Sequence, residues 1–421
     1  MLKPPIRICL VGFLLDFAVM IGLTAMPFYV FNHLGGGAAM SGSFGAVQAS
    51  AYAVTCILAA GLVSRTHNGL TLALMGMLVF TICFSTIPLS KSVLLCGGIT
   101  VFSFVGMGLI WPALHSWVGA EPDPALRAKY MSWFNLSWSF GFAVSPLFAG
   151  PLYDLDYRLP FAVLFVLGMA CVLILRTMPH EKTYFAEATP EMMDARAGHD
   201  RASEAHLHAA WCATFAANAL IGVTRCVYPK RVDDLVAAGQ LQLFLEDIPA
   251  EFLRHAAATK FSWLAGALAL STAITFIVLG KTSFWRHRFQ VLFALQALSA
   301  AAFWALGTTR SLAVMMCCFV IVGVTLGVAF FSSAYYSLAN PEHKHRRASI
   351  NEGAVGLGGF VGSILFGYAV QQWGVALPFR LTPLFIALAV ALQWALLRRG
   401  RNIASKMALD TDEPPANAVS R

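Results

Sequence analysis

Asp16 is the one charged residue in GFLLDFAVMIGL, residues 12–23. A carboxyl group in an otherwise apolar run has three roles open to it: it carries a proton reversibly, it binds a polar solute, or it stays protonated as a structural hydrogen-bonding group. Glu352 raises the same question six residues beyond Arg346, where pairing with the basic run HKHRR or a gating and proton-handling role are both open. Arg225, late in another apolar run, either snorkels to an interface or supplies positive charge to a solute or to an acid such as Asp16. IWPALHSW places Trp111, His115 and Trp117 close together, and SWFNLSW does so for Trp133, Asn135 and Trp138. Aromatic walls with a few polar groups suit an organic molecule, because a Trp ring offers an apolar face and an N–H donor. Imidazole titrates near neutrality, so His115 suits proton handling as well as a satisfied packing role. Gln48, Asn218, Tyr335 and Tyr336 complete the polar candidates, and bonds between helices explain each of them equally well.

The elements that must position these groups follow from composition. Of 421 residues, 58% are apolar and 12% charged, against roughly one quarter charged in a soluble domain. Apolar stretches of about 18 to 28 residues recur along the chain, each able to cross a hydrocarbon core of about 30 Å. Twelve are expected: 7–31, 41–64, 69–89, 93–119, 128–153 and 159–176, then 208–229, 258–280, 288–308, 311–338, 346–373 and 378–397. They are too long for barrel strands and show no sustained period-two alternation, so their backbone must satisfy itself within helices. The expected fold class is an all-α polytopic membrane protein. Asp16, about nine residues past Arg7, then lies roughly 13 Å deep, where a charge costs about 2.5 to 3.5 kcal/mol. The first span is too long for the apolar region of a cleavable signal.

The net charge of +8 is distributed rather than concentrated. With the N-terminus inside, inner segments hold twenty Lys and Arg, outer segments hold eight, and Arg225 falls within a span. Both termini are therefore expected in the cytoplasm, with the chain in the cell inner or plasma membrane. The basic balance orients the chain and needs no nucleic-acid partner. All nine cysteines fall within spans without a C-x-x-C pair, so they read as packing residues and neither a disulfide nor a metal site is expected. No G-x-x-x-x-G-K-[ST] run and no paired-carboxylate or His-rich constellation occurs, so no catalytic residue, cofactor or enzymatic activity is expected.

A polar stretch of mixed sign, 178–207, divides an N-terminal half, 1–177, from a second half, 208–397, and a polar tail follows at 398–421. The linker and the tail are both expected in the cytoplasm. The segment at about 230–257 is much longer than its counterpart FNHLGGGAAM and is expected to form a short amphipathic helix at the outer surface. The halves repeat. At an offset of 217, Pro124 meets Pro341, Lys129 meets Arg346, Ser132 meets Ser349, Gly141 meets Gly358 and Gly150 meets Gly367. At an offset of 202, Asp16 meets Asn218 and Pro27 meets Pro229.

In the fifth span, GFAVSPLFAGPLYD presents Gly141, Ser145, Pro146, Gly150 and Pro151. Small residues at this spacing let a neighbouring backbone approach, and the prolines set bends. The pattern resembles the glycine-proline motif of the major facilitator superfamily, with Ser145 in place of a glycine, and the resemblance covers the whole chain. It implies twelve helices in two pseudo-symmetric six-helix bundles, with the first, fourth, seventh and tenth lining a central cavity. Gly141, Ser145, Pro146, Gly150, Pro151, Gly358 and Gly367 would then serve helix packing and gating. One departure lies in GLVSRTHNG, which keeps Gly61, Arg65 and Gly69 of the family's G-x-x-x-D-R-x-G-R-like pattern but has no Asp.

The expected function is alternating-access transport of a small organic solute coupled to a proton or another ion, by a monomer in a lipid bilayer. Few charges and several Trp residues lean toward a neutral, weakly polar or amphipathic solute. The substrate or proton-binding candidates are Asp16, Gln48, Trp111, His115, Asn135, Trp138, Asn218, Arg225, Tyr335 and Glu352. The alternative is a sensor, receptor or scaffold of the same fold without flux.

Overall fold

The computed structural model describes residues 4–65, 69–119, 121, 124–178, 200–243, 257–338 and 344–411. The first half contains α1 (Pro4–His33), α2 (Ala38–Arg65), α3 (Gly69–Thr86), α4 (Val93–Gly119), α5 (Pro124–Val144), α6 (Pro146–Leu155) and α7 (Leu159–Arg176). The second contains α8 (Asp200–Gly222), α9 (Tyr228–Ala237), α10 (Ala257–Lys281), α11 (Phe289–Leu306), α12 (Leu312–Leu338), α13 (Lys344–Trp373) and α14 (Ala376–Thr411). Among the described residues, eleven helical segments are long and apolar enough to cross a membrane. A twelfth crossing is α5 followed by α6. It breaks at Ser145 because Pro146 has no N–H and its ring crowds the carbonyl four residues back.

Two elements run differently from the sequence expectation. The last helix does not end at 397 but continues to Thr411. Arg398, at the start of this extension, stacks 3.4 Å from the Trp394 ring centre. The segment after the seventh span does not begin as a separate surface helix. Its first part is α9, which continues the seventh crossing, and Gln242 then forms a bridge with Ser311, so the chain is pinned to the turn between α11 and α12. Residues 244–256 and most of the linker, 179–199, lie outside the described residues, as do 412–421 and the middle of GLVSRTHNG.

The helices form two six-crossing bundles with matching neighbours. In the first, α1 packs on α5 and α7, α3 on α4 and α7, and α2 on α4. In the second, α8 packs on α13 and α14, α11 on α12 and α14, and α10 on α12. Two seams join the bundles, α2 on α13 and α5 with α6 on α10.

Individual atoms repeat as well. Gly141 packs on the Phe13 carbonyl, and Gly358 packs on that of Phe215; neither site has room for a Cβ. Ser145 donates to the Phe17 carbonyl at 2.5 Å, whereas Gly362 in the corresponding place lies against the Ala219 carbonyl. These contacts reproduce both sequence offsets, 217 for α5 on α13 and 202 for α1 on α8. Gly150 and Gly367 serve the seams instead, against Ala258 and Ala38.

Twelve crossings bring both chain ends to one face, here called proximal, and the opposite face is distal. At the distal side the bundles are locked. Asp154 accepts from the Thr259 backbone N–H at 2.9 Å and its hydroxyl at 2.5 Å, and Phe28 meets Phe261 at 5.8 Å between ring centres. Lys230 lies 5.4 Å from the Phe31 ring centre, and Gly42 packs on Ser363. These bundle-to-bundle contacts continue to Tyr52 with Glu352 and Trp138 with Phe276, about halfway along α2 and the fifth crossing.

Candidate functional site

The seventh crossing is where the regular helix gives way. Pro229 lacks an N–H and crowds the Arg225 carbonyl four residues earlier, and residues Val223–Val227 form a π-helical turn between α8 and α9. Such wide turns occur frequently at functional sites. The Cys226 carbonyl in this turn receives Ser41 Oγ of α2 at 2.5 Å, a bond from one bundle to the other. Gly45 and Gly222 make the approach possible: a Cβ at Gly45 would strike Cys226, and one at Gly222 would strike Gly359 and Ser363.

Arg225 does not extend to the distal interface. Its Nη2 lies 2.7 Å from Met20 Sδ on α1, and its Cζ is 6.0 Å from the Phe142 ring centre on α5. Asp16 stands one turn before Met20 on α1, within electrostatic reach of Arg225 but without a direct ion pair. Asp16 is buried, 7% exposed. A thioether is a weak acceptor. Arg225 therefore keeps most of its five-donor capacity for other partners, at a point where both bundles meet.

An aromatic group begins one turn on the other side of Asp16. A Cβ added at Gly12 would lie 2.9 Å from the Phe134 ring, so only glycine lets α5 come this close. Phe134 in turn meets Trp111 at 6.1 Å and His115 at 5.4 Å between ring centres. Trp111 meets Trp138 edge-on at 5.9 Å, and Trp138 reaches Phe276 of the second bundle at 6.2 Å. His115 Nδ1 lies 2.9 Å from the Trp111 carbonyl, and Trp138 Nε1–H donates to Asn135 Oδ1 at 3.1 Å. The sequence candidates Asp16, Arg225, Trp111, His115, Asn135 and Trp138 are thus connected through Gly12, Phe134, Met20 and Phe142.

The other candidates sit elsewhere. Glu352 accepts from Tyr52 across the α2–α13 seam at 3.3 Å, and of the basic run before it the described side chain, Arg347, bonds Glu204 at 3.0 Å. Gln48 is buried on α2 between Gly45 and Tyr52, on the stretch that meets the second bundle. Asn218 donates to the Thr214 carbonyl of its own helix at 2.9 Å, beside Gly358. Tyr335 lies apart from all of these at the proximal end of α12, 5.1 Å from the Trp285 ring centre and 5.2 Å from the Arg286 guanidinium carbon. Tyr336 accepts the His287 backbone N–H at 2.8 Å.

Sequence reasoning missed Met20, Phe142, Tyr52 and Ser41 as partners. Pro229, four residues beyond Arg225, is the signal that marks the distorted turn. Among the described residues no cluster of metal-ligating side chains occurs.

The family model of the Major Facilitator Superfamily matches residues 8–337. Among solved structures, a bacterial homologue of the human lysosomal transporter Spinster, inward-facing and unoccupied, aligns with a TM-score of 0.69 at 16% identity, over 94% of this chain and 96% of that one. The nucleoside transporter NupG aligns with a TM-score of 0.67 at 12% identity, over 94% and 99%. A POT family transporter in complex with a thioalcohol-conjugated peptide aligns at 0.68 and 14% identity, over 94% and 96%. At these identities the likeness shows the fold. No match is found among curated proteins.

Proposed function

Because the chain belongs to the major facilitator superfamily, and is a membrane transporter by that membership and by its structural neighbours, we propose that it moves a small organic solute by proton-coupled alternating access. Asp16 is the proton carrier in this reading. The observation that supports it most is the place of Asp16, buried on α1 opposite Arg225 of the other bundle. Two charges on separate rocking bodies change their mutual distance whenever the bodies move, so their electrostatic interaction is tied to the transport cycle. Trp111, His115 and Trp138 provide the aromatic surface for the solute, with Asn135 bonded to Trp138 and Gln48 buried on α2 as further polar groups.

The proximal face is the cytoplasmic one in this reading, in keeping with the excess of Lys and Arg in its loops. The contacts along the distal side then correspond to an outer gate held shut, with exchange toward the cytoplasm. Glu352 and Tyr52 form the part of that gate nearest the middle of α2. The protein acts as a monomer. The described start of the 230–257 segment, α9 and the bridge at Gln242, is a fixed part of the second bundle in this reading rather than a moving lid.

Reconstituted vesicles test the reading. An imposed pH gradient should drive solute accumulation in the native protein, and Asp16→Asn should abolish that accumulation while preserving exchange of labelled for unlabelled solute. Full pH-driven accumulation by Asp16→Asn would remove Asp16 from the mechanism. Binding without exchange in the native protein would favour a sensor.

A further inference from the structure

We infer that the solute is an amphipathic organic anion, whose carboxylate or similar acidic group binds Arg225 in place of Asp16, so that each anion enters together with one proton. The inference rests on the transport reading above and adds the substrate class and the reason for coupling.

The argument starts from an incomplete pairing. Arg225 is a fixed positive charge at the junction of α1, α2, α5 and α13, and its hydrogen-bond partner there is the Met20 thioether, a poor acceptor. A guanidinium presents parallel N–H groups that fit a carboxylate with two bonds. Asp16 balances the charge from nearby without taking up those bonds. A second negative group that docks on Arg225 faces Asp16 in a site of low dielectric, where two carboxylates cannot both stay ionised beside one cation. The proton needed to neutralise Asp16 comes from bulk water through the side on which the site is open. Net charge at the site is the same before and after: one cation and one anion, with Asp16 neutral in the loaded state.

The groups around Asp16 favour this assignment. From the π turn come Arg225 and, next to it, Cys226. From α5, Phe134 and Ser137 meet the preceding turn at Gly12; from α4, His115 meets Phe134; from α7, Cys171 lies against the Val11 carbonyl. Cys9 lies near Ser137 one turn further toward the proximal face, and Glu352 of α13 is engaged by Tyr52 of α2. Among the described residues, Arg225 is the charged group coupled to Asp16, so no second acid is placed to receive a cationic solute beside it. Trp111 and Trp138, half-buried and backed by the fully buried Phe134 that packs toward Gly12, offer an apolar surface, which is why the anion should carry an aromatic or aliphatic body.

The full-length protein in lipid nanodiscs would be titrated with acetate, phenylacetate and decanoate, and with phenylacetamide and phenethylamine as neutral and cationic counterparts. Phenylacetate or decanoate should bind at least about tenfold more tightly than phenylacetamide, a difference of about 1.4 kcal/mol. Affinity should be constant at low pH and fall about tenfold per pH unit once Asp16 is ionised in the empty site. Asp16→Asn should keep anion binding and lose that slope. Arg225→Gln should lose anion binding; if this variant does not fold, the slope in the native protein and in Asp16→Asn still decides. Preferred binding of the amide or the amine, absence of binding by all three carboxylates, or an unchanged slope in Asp16→Asn would overturn the inference. Anion binding with the expected slope but no exchange in vesicles would instead leave the inference standing and overturn the transport reading.

Discussion

Asp16 and Asn218 occupy corresponding places in the two bundles, as do Pro27 and Pro229, yet the chemistry at the two places differs. On α8, Thr214 donates to the Ala329 carbonyl of α12 at 3.0 Å, and Asn218 turns back to the Thr214 carbonyl of its own helix. On α1 the position matching Thr214 is Gly12, which has no hydroxyl and meets Phe134 instead. Helix α12 therefore packs on α8, while α4 and α1 make little contact and the aromatic group of Trp111 and His115 occupies that region. The prolines diverge in the same way. The first helix runs through Pro27 without interruption, whereas Pro229 follows a π turn that carries Arg225. Duplication supplied one frame, and the bundles then diverged in chemistry. At these corresponding places the first offers an ionisable acid and the aromatic surface, the second a fixed cation and, with neutral Asn218, a tighter packing of α8 on α12.

The comparison can be broken by exchanging corresponding residues. Gly362→Ser should have the largest effect, because its Cβ would press on the Ala219 carbonyl. Overpacking of this kind costs about 1 to 3 kcal/mol, and a lowered melting temperature in detergent would report it. Thr214→Val should come next, at about 1 kcal/mol, and should loosen α12 from α8; trypsin cleavage of the α11–α12 turn at Arg310 in the folded protein would increase. Ser145→Gly, the reciprocal of the first exchange, removes only the bond to the Phe17 carbonyl, a loss nearer about 0.6 kcal/mol for a hydrogen bond between membrane helices. Equal effects of the two reciprocal exchanges would show that the halves are packed alike at this point. The smallest effect on stability is expected for Tyr52→Phe, which removes the partially buried bond to Glu352. Its consequence should appear in the gate, as faster labelling of an introduced Ser41→Cys thiol from the distal side.

Much of the frame is readable from the chain. Twelve spans, their division into halves and both repeat offsets follow from apolar run lengths and from Gly and Pro spacing, because these depend on the bilayer and on backbone sterics alone. The break at Ser145 follows from Pro146 in the same manner. The site is readable in part. Counting residues gives depth along a helix, and it identifies Asp16, Trp111 and Trp138 as interior groups. It does not give the direction a side chain takes around the axis, which neighbouring helices decide. That is why residue type alone groups Tyr335 with the centre although it packs on Trp285 near the proximal face. It is also why sequence proximity alone does not reveal that Tyr52 on another helix donates to Glu352.

Arg225 is the hardest to read for a further reason. A turn of 3.6 residues advances about 100° per residue, and one residue added to a turn shifts the phase of everything beyond it by about that angle. The stripe that α8 shows to α12, α13 and α14 is consequently out of step with the stripe that α9 shows to α1 and α10. A single crossing thus addresses two sets of neighbours, the second of which reaches across the divide to α1, and the cation sits at the point where the phase slips.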